Sequence, residues 1–210
     1  MRILRSIKSL FQFKMAVVML LVAQASWAQT QGQPGPQEVV SHLQETLIKS
    51  MREGGKLGYR GRFELLAKAV DQTHDLDFIA RTTLGANWTQ LSAEQQRIFT
   101  DVFRKLSIGT YAGWFKSHEG ERFEFIEQQA MPRDQVMVRT RFVQSGSEPP
   151  VRFDYVLRQT KDGWRIVNVL ADGVSDLALK RVEYRAILQR DGFQALIDML
   201  KDKIIQTEQD

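Results

Sequence analysis

Histidine is the side chain that most often moves protons at neutral pH, and this chain carries three: His42, His74 and His118. Each lies in a different stretch among polar neighbours. None has a partner at ligand spacing, such as a second histidine four residues on, so the expectation is three surface histidines and no metal site. There is no cysteine, which removes thiolate ligands and a disulfide framework. Gly54-Gly55 and Gly58-Tyr59-Arg60-Gly61 are rich in glycine, but no strand precedes them. They read as a helix stop and a loop rather than a phosphate cradle. Asp154 and Tyr155 are adjacent on one strand and point to opposite faces. Asp172 and Tyr184 could meet only through the fold, and Asp172 is better suited to a turn that leads the last strand into a helix. The residues thus supply no catalytic set and no cofactor site.

The first segment sets the compartment. Arg2, Arg5, Lys8 and Lys14 precede an uncharged apolar run, Met15 to Ala23, and Ser26-Trp27-Ala28 follows with small residues at its first and third places. This is the layout of a secretory signal peptide, with cleavage expected after Ala28. The run is shorter than the roughly 20 residues that a membrane-spanning helix needs. The wider stretch from Leu10 to Ala28 is just long enough for the alternative of an uncleaved anchor, but glutamine and serine in its second half favour cleavage. The whole chain has 29 Lys+Arg against 25 Asp+Glu. Residues 1–28 hold four of the basic residues and none of the acidic ones, which leaves 25 against 25. A near-neutral mature chain has no basic field for nucleic acid. Periplasmic localisation is the expectation, followed by a polar Gly/Pro tail over 29–36, one domain over 37–206 and a short tail over 207–210.

Within that domain the pattern reads helices, then a sheet, then helices. Val39, Val40, Leu43, Leu47 and Met51 share a helical face. Phe63, Leu66, Ala67 and Val70 make a second short amphipathic helix, and a third covers roughly Leu76 to Leu84 with Gly85 as its stop. Ser92-Ala93-Glu94-Gln95 matches a capping box that opens a long helix. After Gly120 the period becomes two. Val136, Val138, Thr140 and Phe142 alternate with Met137, Arg139, Arg141 and Val143, and Val151, Phe153, Tyr155 and Leu157 alternate with Arg152, Asp154, Val156 and Arg158. Turn residues separate these runs. The fold class is therefore α+β: a curved, antiparallel, four-stranded meander packed against helices, with helices before and after it.

The apolar inventory is rich. On the helical side stand Phe78, Ile79, Trp88, Phe99, Phe103, Tyr111, Trp114 and Phe115. On the sheet side stand Val138, Phe142, Phe153, Tyr155, Leu157 and Trp164. For any one of these, core packing is the commoner fate. A cavity requires helix and sheet to stand apart, which periodicity alone does not show.

Several motifs in order carry a resemblance. They are Asp77-Phe78, Leu84-Gly85, Trp88, Glu94-Gln95-Gln96 with Phe99 and Phe103, and Tyr111. Val136–Val143 (VMVRTRFV), Phe153–Arg158 (FDYVLR), Gly163-Trp164-Arg165-Ile166 and Asp172-Gly173-Val174-Ser175 follow. From about Leu76 to about Ile204 the chain resembles the MlaC/toluene-tolerance (Ttg2D-like) family of periplasmic lipid-binding proteins, whose fold is similar to the NTF2-like cone. The resemblance implies a non-enzymatic carrier that holds the apolar part of a lipid between sheet and helices and exchanges it with a membrane-bound lipid-transport complex. It makes Phe78, Trp88, Phe99, Phe103, Tyr111, Val138, Phe142, Phe153, Tyr155, Leu157 and Trp164 the pocket-lining candidates. After Ser175 the chain departs from the phospholipid-carrier pattern. Asp176 to Arg185 and Arg190-Asp191-Gly192-Phe193 are more similar to the HpnM branch, associated with hopanoids, so phospholipid and hopanoid both stand as ligands. Two other classes remain: an NTF2-like enzyme with a small apolar pocket, and a periplasmic adaptor that binds no ligand.

Overall fold

The computed structural model describes residues 33–209, so the expected signal peptide lies outside the described residues. Helix α1 (Pro36–Arg52) starts on proline, whose fixed φ suits a first helical turn, and buries Val39, Val40, Leu43, Leu47 and Met51 along one stripe. Helix α2 (Gly54–Thr73) begins at once. The expected glycine loop is instead a break within this helix, at Gly58 (φ 61°, ψ −179°). Gly54 is glycine for a steric reason: a Cβ there would stand 1.9 Å from the Lys116 carbonyl oxygen. Buried Arg62 ties the two helical layers together, donating from Nε to the Ala112 carbonyl at 2.8 Å.

Helix α3 (Leu76–Leu84) is capped by Asp75, whose carboxylate accepts from the Phe78 amide at 3.0 Å, and it stops at Gly85 with φ 57°. A 3₁₀ turn (Gly85–Gln90) leads to α4 (Ala93–Trp114). The predicted capping box is present: the Gln95 amide donates to Ser92 Oγ at 3.2 Å, and the Ser92 amide donates to Gln95 Oε1 at 2.9 Å.

Strands β1 (Arg122–Met131), β2 (Gln135–Val143), β3 (Val151–Thr160) and β4 (Gly163–Ala171) form the expected antiparallel meander. A two-residue β5 (Val174–Ser175) extends it at the β4 edge. The β4–β5 hairpin turns on Asp172 and Gly173, both at positive φ (48° and 85°). One face of the sheet carries Val138, Thr140 and Phe142 on β2 beside Phe153, Tyr155 and Leu157 on β3. The other face carries charge, with Glu124 bridging Arg122 and Arg141, and Arg139 paired to Glu127. A bulge in the β3–β4 pairing lies between Val156 and Leu157, so that Val156 faces Asn168 and Leu157 faces Ile166. Val167 is the extra residue, and a bulge bends a strand and re-aims its side chains. Here it turns the end of β4 towards α5 (Asp176–Gln209), a helix itself interrupted at Gly192 (φ 87°).

Two cores result. One packs α1, α2 and the end of α4 on the sheet, around Leu43, Leu47, Leu66, Leu157 and Ile166. The other packs α3, α4 and α5 on one another, around Leu84, Phe99, Phe103, Tyr184 and Leu196. Each such fully buried side chain contributes about 1.5–3 kcal/mol. The two cores meet where α4 passes behind β4 and the start of α5.

Candidate functional site

A cavity of about 200 Å³ lies at that meeting point. Helix α4 supplies Phe103, Ser107, Thr110, Tyr111 and Trp114, and the α2–α3 junction supplies His74, Leu76 and Ile79. The sheet supplies Phe153 and the bulged end of β4 from Ile166 to Val169, while α5 closes the space with Leu177, Leu179 and Lys180. The walls are predominantly apolar. Where they meet solvent, Trp114, Val174 and Leu179 are 71%, 55% and 60% exposed, which gives the mouth an apolar rim. Apolar side chains gathered at the edge of an apolar hollow mark a binding surface rather than ordinary packing.

The α2–α3 junction adds a polar group to these walls. His74, expected at the surface, is buried. It sits where the chain leaves α2, and backbone pairing fixes it there: His74 bridges Ile166 of β4, and the Asp75 amide donates to the Ile166 carbonyl at 3.0 Å. Its Nδ1 is 2.9 Å from Thr73 Oγ1 and its Nε2 is 3.2 Å from Tyr111 Oη, with the two rings edge to face at 5.8 Å. Burial outweighs a hydrogen bond at Val70 and holds the imidazole pKa down at about 4, with Lys180 adding to the depression, so the ring is neutral at physiological pH. Burial likewise pushes the Tyr111 phenol well above its usual value, and the nearby Tyr155 and Asp176 add to the effect.

Of the side chains expected to line a pocket, the structure brings Phe103, Tyr111 and Phe153 together at this cavity. It places the others in packing roles. Phe99 stacks on Phe103 at 6.0 Å, and Trp88 meets Phe99 edge-on at 6.3 Å, inside the helical core. Val138, Tyr155 and Leu157 are buried in the sheet core, with Phe142 and Trp164 packed against it. Phe78 lies beneath the Arg158 guanidinium, 4.4 Å from its ring centre.

Sequence reasoning missed the polar members: His74, Ser107, Thr110, Asn168, Asp176 and Lys180. One signal was available. Phe103, Ser107, Thr110 and Trp114 follow the 4-3-4 spacing of a buried helical stripe, yet two of its places hold small hydroxyls where a solid core would hold aliphatic side chains.

The residues weighed for acid–base chemistry have other partners. Asp172 Oδ1 accepts from the Arg152 amide at 2.8 Å and pins the β4–β5 hairpin to β3. Tyr184 packs edge-on against Phe99 and Phe103. Asp154 is buried and paired with Arg152 at 3.2 Å. Among the described residues no group of three or more His, Cys, Asp or Glu side chains could hold a metal ion.

Comparison with known proteins gives two findings. A family model described as "MlaC protein" matches residues 41–202. Among solved structures, a phospholipid-binding protein from Ralstonia solanacearum, determined in complex with a phospholipid, is similar in fold with a TM-score of 0.73. The match covers 83% of this chain and 99% of that one, at 21% sequence identity.

Proposed function

The chain belongs to the MlaC family, and from that premise we propose that it is a periplasmic, non-enzymatic lipid carrier. It receives a phospholipid or hopanoid-type lipid in the cavity between α4, β4 and α5 and passes it to a membrane-bound transport complex. The observation that carries this reading is the cavity itself, an apolar hollow with an exposed apolar rim at Trp114, Val174 and Leu179. The lipid bound by the structurally similar Ralstonia solanacearum protein supports it. The expected export signal supports the compartment.

The energetics suit the task. Sequestering a chain gains about 0.8 kcal/mol per buried CH₂, and the same effect holds the lipid in a membrane, so a carrier with such a pocket exchanges lipid near balance. At about 200 Å³ the cavity is below the ~300–1,000 Å³ of common ligand pockets. Loading a whole lipid therefore requires α5 to move away from α4 and β4.

The test is native mass spectrometry of protein purified from the periplasm without detergent, followed by lipid extraction. A bound mass released as phospholipid supports the carrier reading, and a hopanoid selects the specialised branch. A stable protein that carries no lipid under these conditions overturns it.

A further inference from the structure

We infer that the α4 wall of the cavity is a hydrogen-bond acceptor surface that takes a ligand hydroxyl or amine, with the cavity's own donors, the Asn168 carboxamide and the Lys180 ammonium, supplied by β4 and α5. The inference rests on the cavity reading above and deepens it. It follows from where the protons of the lining hydroxyls must lie.

Ser107 Oγ is 2.9 Å from the Phe103 carbonyl oxygen, and Thr110 Oγ1 is 2.8 Å from that of Leu106. A carbonyl oxygen can only accept. Two oxygens at that separation repel unless a proton lies between them, so both hydroxyls donate into their own helix. What they present to the cavity is a lone pair.

Tyr111 reaches the same condition through a longer relay. Thr73 Oγ1 is 2.7 Å from the Ala69 carbonyl and so donates there. Its remaining capacity towards His74 is as an acceptor, which puts the imidazole proton on Nδ1. Neutral imidazole has one N–H, so Nε2 carries the lone pair and Tyr111 donates to it. The phenol proton is thereby committed to His74, and the capacity left to Tyr111 Oη towards a ligand is as an acceptor. The depressed His74 pKa agrees with a neutral ring in this relay.

The opposite wall differs. Asn168 Oδ1 accepts from Ser175 Oγ at 3.1 Å and from the Leu177 amide at 3.3 Å, which orients the carboxamide and leaves its NH₂ group with no hydrogen bond among the described residues. A ligand hydroxyl can satisfy the α4 wall. An ether or ester oxygen there would leave acceptor facing acceptor, with both desolvated.

Two isomeric probes of equal composition separate these cases: 1-octanol, which donates and accepts, and heptyl methyl ether, which only accepts. Their affinities for delipidated protein are measured by calorimetry in the wild type and in Thr73→Val. Thr73 does not line the cavity and acts as a positioning residue, holding the imidazole proton on Nδ1. Without its oxygen, the ring keeps only the Val70 carbonyl as an acceptor that competes with Tyr111, so the share protonated on Nε2 rises. That tautomer donates to Tyr111 and frees the phenol proton to face the cavity. The octanol-to-ether affinity ratio is expected to fall about fivefold or more in the variant, the scale of one net hydrogen bond. An equal ratio in both proteins overturns the inference and leaves the cavity reading intact. Failure of both probes to bind overturns both. The wild-type imidazole ¹⁵N shifts give a second reading that needs no variant. Unprotonated Nε2 with protonated Nδ1 is expected for His74, and the reverse tautomer overturns the inference.

Discussion

Two hollows lie back to back across His74 and Leu76, which line both. On one side is the apolar cavity of about 200 Å³. On the other is an open cleft of about 500 Å³, where Asp71, Asp75, Asp77 and Asp162 face Arg81, Arg104, Arg158, Lys161 and Arg165. The larger hollow is the poorer ligand site. Its charges answer one another: Arg104 pairs with Asp71, and Arg158 with Asp75 at 3.0 Å. Water fills the rest of such a cleft at no penalty. In the smaller hollow the α4 hydroxyls have spent their protons inside the protein, and most of the remaining surface is hydrocarbon that water wets poorly. The difference lies in what each surface loses when water occupies it, and size does not decide it.

The sharpest contrast separates the cavity from the solid core behind it. Phe99→Ala removes a fully buried ring that packs on Phe103 and Tyr184 without lining the cavity. It should destabilise the protein by about 3–5 kcal/mol in chemical denaturation, while lipid per folded molecule stays at the wild-type level. A proportionate loss of lipid from the folded fraction would mean that the cavity extends into the helical core.

The shared wall itself should be sensitive to acid. The imidazole pKa of His74 is about 4 when folded, lowered chiefly by burial with Lys180 assisting and Asp71 opposing, against about 6.5 in the unfolded chain. The unfolded state therefore takes up the proton first as pH falls. Stability drops between about pH 6.5 and pH 4, by about 3 kcal/mol from this residue, and above that window the contribution is complete. Denaturant midpoints across that range should slope less in His74→Gln, and equal slopes would place the titration elsewhere.

A matched pair on α4 compares the two hollows directly. Thr110 lines the cavity and Thr100 lines the cleft. Thr110→Trp fills space that two or three methylenes of a lipid would occupy, which costs the complex about 2 kcal/mol, more than tenfold in lipid retention. Thr100→Trp should leave retention unchanged. If the cleft variant is the one that loses lipid, the two sites have been assigned the wrong way round.

What the sequence revealed was local. Leu84-Gly85 and the Ser92–Gln95 box set helix ends through contacts within four residues, and the meander follows from period-two runs between turn residues. The family resemblance rested on the same local motifs. The site was less legible because distant chain segments make it. His74 is flanked by polar residues in sequence, and its burial depends on backbone pairing to Ile166. Asn168 faces α5 because a bulge in β4 re-aims it, and alternation cannot show a bulge. Phe103 and Phe99, four residues apart on one helix, look alike in the sequence. Only the position of α5 makes one a cavity wall and the other part of the packed core.

The smallest effect is expected from the cleft's own charges. Arg104 and Asp71 sit on α4 and α2 with side chains 38% and 43% exposed. Water already solvates both, so their attraction mostly replaces hydration, and holding two long side chains in register costs entropy. Asp71→Asn should lower stability by about 0.2–1 kcal/mol at low ionic strength. The difference should fade as salt brings the screening length below ~10 Å, and lipid retention should not change. A salt-insensitive loss of several kcal/mol would show that the cleft is drier than its charges suggest. A change in bound lipid would show that the His74–Leu76 wall transmits between the two hollows instead of separating them.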